Sequence, residues 1–106
     1  MSNAADSPAR PRVLVIEDEA EVRDALVRDL DGFAPAVRVD AASDVDDAWA
    51  AVGEADASGD RLGLVLADHR LPGRTGVDFL VELDADPRHG AARKVLVTGQ
   101  AGLADT

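Results

Sequence analysis

Three short apolar runs each end on a residue able to handle a phosphate or a metal. Val13-Leu14-Val15-Ile16 leads into Glu17-Asp18-Glu19, Leu62-Gly63-Leu64-Val65-Leu66-Ala67 into Asp68, and Val95-Leu96-Val97 into Thr98. Carboxylates gathered in one place raise one another's pKa or recruit a cation. Two or three carboxylates and a backbone carbonyl make a hard oxygen site suited to Mg²⁺, which keeps several waters and takes phosphate oxygens as its remaining ligands. Such an ion neutralises charge in phosphoryl transfer, whose barrier is lowered mainly by positioning and electrostatics. A carboxylate can itself be the acceptor, forming an aspartyl phosphate. Asp68, alone at the end of its run, is the candidate acceptor, and the Thr98 hydroxyl can donate to a phosphoryl oxygen.

These residues need a scaffold that brings the three run ends together. Continuous β-branched runs read as strands buried on both faces of a parallel sheet. In an open α/β sheet ligands sit outside the carboxyl ends of the strands, so Glu17, Asp18, Asp68 and Thr98 are expected at one edge. Between the runs, Val22, Ala25, Leu26 and Leu30 repeat at helical spacing before Gly32. Val37 and Val39 alternate with polar residues, as in a half-exposed strand near the sheet edge. Ser43 and Asp46 resemble a capping box for a second helix, with Val45, Ala48, Trp49 and Val52 as its apolar face. Residues 54–61 read as a polar loop. Leu71-Pro72-Gly73 and Gly76 break the chain after Asp68. Val77, Leu80, Val81 and Asp84 are expected to share a face of a third helix, and 94–98 forms a fourth strand. His89 is expected in a solvated loop. The alternation predicts a doubly wound α/β fold around a parallel sheet.

Composition narrows the function classes. The 106 residues suffice for one domain with a modest core, and 46% of them are hydrophobic. Twenty-one acidic against 11 basic residues give a formal charge of −10, which opposes direct binding to nucleic acid or anionic membranes. There is no cysteine and no apolar stretch of the ~20 residues needed to span a bilayer, so a cytoplasmic protein is expected. Residues 1–11 read as a flexible leader, with Ser2-Asn3-Ala4 similar to an expression-vector remnant, and 12–106 as the folded domain.

Taken together, the three motifs resemble the receiver domain of bacterial response regulators, the phospho-acceptor half of two-component signalling. Val13 to Glu19 is similar to that family's first strand and acidic pocket. Asp68-His69-Arg70-Leu71-Pro72-Gly73-Arg74-Thr75-Gly76 is similar to its phosphorylation strand and loop, and Val95-Leu96-Val97-Thr98-Gly99 to its switch-threonine strand. The resemblance implies a flavodoxin-like receiver fold that takes a phosphoryl group on Asp68 from a sensor histidine kinase or phosphotransfer protein. It implies Mg²⁺ bound by Asp18 and Asp68, by Glu17 through water, and by the backbone carbonyl of Arg70. Thr98 would follow the phosphoryl group, and an output domain outside this chain would read the state. The implied protein is a signalling module, not a turnover enzyme.

One departure stands out. Receivers carry a fifth strand ending in a lysine, with an aromatic residue before it, and neither is matched here. Lys94 lies at the other end of the fourth strand, roughly 13 Å from Thr98 at about 3.3 Å per residue. The chain therefore reads as a receiver lacking its last strand and helix. An apolar fourth strand left at the edge is expected to drive dimerisation or exchange of elements between chains. Two other classes compete. A non-phosphorylated interaction module would need only the scaffold. A phosphohydrolase with an aspartate nucleophile would place a second aspartate where Arg70 stands. Asp18 and Glu19 could also act simply as acids at a helix N-terminus.

Overall fold

The computed structural model describes residues 11–33, 36–71 and 73–97. Thr98, and the expected leader up to residue 10, lie outside them. The apolar runs form four parallel strands: β1 (Arg12–Ile16), β2 (Arg38–Ala42), β3 (Leu62–Asp68) and β4 (Arg93–Val97). Three helices connect them: α1 (Ala20–Asp31), α2 (Val45–Ser58) and α3 (Gly76–Ala85). The strand order is β2-β1-β3-β4, so the chain steps one way from β1 to β2 and back the other way thereafter. With right-handed crossovers, that reversal puts α1 on one face and α2 and α3 on the other. Trp49 and Phe79 join the latter two helices through an edge-on ring contact with centroids 4.9 Å apart. This is the doubly wound α/β sheet that the alternation predicts.

The main core lies under α2 and α3. Leu14, Ile16, Ala42, Val65 and Ala67 of the sheet meet Val45, Ala48, Val52, Phe79 and Leu83 of the helices. The α1 face is thinner. Val13 and Val15 are buried there, but no residue of α1 is, and Val22 remains 41% exposed. Among the described residues β4 pairs only with β3, and its Val95 is 43% exposed. The half-exposed second strand is the opposite edge, as expected.

Four local expectations need correction. The core face of α3 is Gly76, Phe79 and Leu83, whereas Val77 and Val81 are exposed. The i, i+4 pair Phe79 and Leu83 carries more apolar surface than the valines and takes the inward face. The second helix does not stop at Glu54 but continues to Ser58, because Ala55 extends its buried stripe and Gly59 closes it at φ 75°. Its cap is Asp44, whose carboxylate accepts from Asp47 N at 2.8 Å, while the Ser43 hydroxyl donates to the Asp47 carboxylate. His89 is buried rather than solvated, its Nε2 3.3 Å from Asp56 Oδ1.

At the N-terminal edge of the sheet, Arg12 is 2% exposed and pairs with Asp60 at 2.8 Å and Asp40 at 3.1 Å. This fork ties β1 to β2 and to the turn before β3. None of the described helices is long and apolar enough to cross a membrane.

Candidate functional site

β1 and β3 are hydrogen-bonded neighbours, with Ile16 level with Ala67. The next residue on each, Glu17 and Asp68, therefore emerges at the same height on the C-terminal edge. The chain's direction across the sheet reverses between these two strands, which opens the crevice where α/β sheets hold ligands. One carboxylate oxygen each from Glu17, Asp18 and Asp68 lie within 4.8 Å of one another. The cluster is graded in exposure: Glu17 is buried, Asp68 half-buried and Asp18 exposed.

The first strand hands over to α1 in three residues, and hydrogen bonds hold that junction. Glu17 N donates to Ala42 O at 3.0 Å, and Glu19 N donates to Glu17 Oε2 at 3.0 Å. Burial pushes the Glu17 carboxyl up from 4.5 to about 7. The Glu19 amide opposes that rise, and the nearby charge of Asp68 adds to it. Glu19 occupies the N-cap position of α1 but makes no side-chain bond to the helix. The Arg23 guanidinium donates to Glu17 O at 2.9 Å and Asp18 O at 3.4 Å. Arg23 is not among the site residues expected from the sequence, since nothing in the apolar spacing marks it.

The loop after Asp68 turns tightly back toward the sheet. Arg70 N donates to Asp68 Oδ1 at 3.2 Å, His69 N to Val97 O at 3.2 Å, and Gly76 N to His69 O at 3.3 Å. Gly73 adopts φ 80°, a left-handed conformation that favours glycine. The Thr75 hydroxyl then caps α3 by accepting from Asp78 N at 3.1 Å. Arg74 is drawn away to pair with Glu82, and the side chains of His69 and Arg70 are exposed. Lys94 is engaged at the far edge, with His89 O, Ala92 O and Asp84 within 3.0 Å.

The structure thus brings Glu17, Asp18 and Asp68 together and puts the Arg70 backbone two residues beyond Asp68. Three carboxylate oxygens at one solvent-facing edge are hard donors, and that donor set fits a divalent cation.

The model of the response regulator receiver domain matches residues 13–106. The chain belongs to that family. Solved structures agree on the fold. The chemotaxis response regulator CheY4 of Vibrio cholerae superposes with a TM-score of 0.72 at 18% identity, covering 92% of this chain and 76% of that one. A receiver protein from Pseudomonas putida gives 0.67 at 25% identity, covering 93% and 78%. The response regulator TrrA of Thermotoga maritima, in complex with Mg²⁺ and BeF, gives 0.59 at 19% identity, covering 90% and 93%. No curated protein matches the sequence. In this receiver the acidic cluster occupies the crevice between β1 and β3.

Proposed function

We propose that this receiver, spanning residues 12–106, is a phospho-acceptor in two-component signalling, taking a phosphoryl group on Asp68 with Mg²⁺ bound alongside. The observation that carries the reading is the convergence of Glu17, Asp18 and Asp68 at the end of β1 and β3. Asp18, Asp68 and the Arg70 backbone carbonyl would hold the cation, and Glu17 would reach it through a water. When bound, the cation offsets the negative charge of the carboxylates and of the phosphoryl oxygens.

The rest of the work falls to the chain. A carboxylate oxygen of Asp68 attacks the phosphorus of a phosphohistidine on the donor. A P–O bond forms as the P–N bond breaks, and the electron pair leaves with the imidazole. The hydrogen bond from Arg70 N to Asp68 Oδ1 limits rotation of the attacking carboxylate. Thr98 would donate its hydroxyl to a phosphoryl oxygen. The donor is a histidine kinase or phosphotransfer protein in the cytoplasm, and the receiver passes its state to an output domain instead of turning over a substrate.

Calorimetric titration with Mg²⁺ tests the site. The wild-type chain should bind the ion, and Asp18→Asn should bind it at least about tenfold more weakly; a wild-type chain with no affinity for Mg²⁺ contradicts the reading.

A further inference from the structure

The three-residue junction between β1 and α1 carries two of the three clustered carboxylates. Among the described residues, the carbonyls of Glu17 and Asp18 receive no backbone donor. Both receive the same side chain instead. Arg23 stands in the first turn of α1, its own amide bonded to Glu19 O at 2.9 Å. From there its Nη1 reaches back to Glu17 O at 2.9 Å and Asp18 O at 3.4 Å.

We infer that Arg23 is a positioning residue for the acidic site: by bonding both carbonyls it fixes the loop so that the Glu17 and Asp18 side chains face Asp68. The inference rests on the reading of that site as a divalent-cation site. Its physical basis is the mutual repulsion of the three carboxylates, which in a loose loop is relieved by swinging apart. A rigid junction denies them that escape. They then stay within 4.8 Å of one another, ready for a cation to bridge. Groups that orient metal ligands in this way commonly alter affinity by about 10–100-fold when removed.

The guanidinium charge acts in the opposite sense to the positioning. A cation beside a cation site repels the incoming ion, so loss of charge alone would tighten binding. Lysine keeps the charge, but its shorter side chain and compact ammonium do not reproduce the position from which Nη1 meets both carbonyls. The two substitutions therefore separate geometry from charge.

The test is calorimetric titration of the full chain with Mg²⁺ for wild type, Arg23→Met and Arg23→Lys, with Asp68→Asn as reference. Thermal unfolding in metal-free buffer is recorded in parallel. Arg23→Met should bind Mg²⁺ about tenfold more weakly and Arg23→Lys should fall between it and the wild type. The charge-retaining Arg23→Lys supplies the answer even where Arg23→Met folds poorly. Unchanged affinity in both variants, or tighter binding by Arg23→Met, overturns the inference. Lower unfolding midpoints with undiminished Mg²⁺ affinity overturn it too, since they mark a purely structural staple. A wild-type chain that ignores Mg²⁺, or an Asp68→Asn chain that binds it undiminished, sinks the site reading and this inference together. Normal wild-type affinity that survives both Arg23 substitutions sinks this inference alone.

Discussion

Gly76 lies so close to the backbone carbonyl of Asp68 that a Cβ on it would overlap the carbonyl oxygen, with Leu96 Cδ1 3.3 Å from the same point. The first residue of α3 is thus pressed against the end of the strand that carries the candidate acceptor. Its φ is not positive, so space and not backbone conformation excludes a side chain there.

Gly76→Ala should push α3 away from β3 and destabilise the fold by about 1–3 kcal/mol, the usual cost of overpacking. Gly73→Ala meets no atoms within 4 Å but must adopt φ 80°, which costs about 1–2 kcal/mol for a left-handed alanine. Urea unfolding midpoints check both. The Gly76 variant alone should also weaken Mg²⁺ binding, because it moves Asp68; equal metal affinity in the two variants would contradict this.

Glu17 makes stability depend on pH. In the metal-free fold its carboxyl holds a proton up to about 7, against 4.5 for the ordinary group. Between those values the folded chain binds more protons than the unfolded one, so stability falls as pH rises from about 4.5 to 7 and levels off above. Glu17→Gln should flatten that segment of the curve. Unfolding midpoints measured in EDTA from pH 4.5 to 8 decide, and an identical decline in the variant would exclude Glu17 as its source.

Arg12 anchors the opposite edge. Arg12→Met leaves Asp60 without a cation among the described residues and Asp40 with only the more distant Arg38, its Nε at 3.7 Å. Breaking a buried pair in this way costs about 3 kcal/mol. Adding Asp60→Asn to Arg12→Met should recover part of the loss, as expected for residues in one network. A double-mutant cycle in urea measures the coupling, and strictly additive losses would contradict it.

Much of this architecture was legible because its signals are long and redundant. The three apolar runs mark β1, β3 and β4, and the acids at their ends mark the edge where Glu17, Asp18 and Asp68 converge. The harder features depend on tertiary neighbours. Phe79, not Val77 or Val81, faces the core because Trp49 of α2 waits there. His89 is buried because Asp56, 33 residues earlier, receives it. Arg23 gives no local sign of its role, since the acceptors it meets are backbone carbonyls that every residue carries. The cap of α2 is Asp44, one residue past the expected Ser43, because both residue types suit the position.

The central claim is that Asp68 accepts a phosphoryl group in the presence of a divalent cation. Intact mass after incubation with acetyl phosphate and Mg²⁺ tests it most directly, with Asp68→Asn and an EDTA-treated sample alongside. One phosphoryl adduct on the wild-type chain, absent from both controls, is the predicted result. No adduct on the wild type, or the same adduct on Asp68→Asn, would contradict the account.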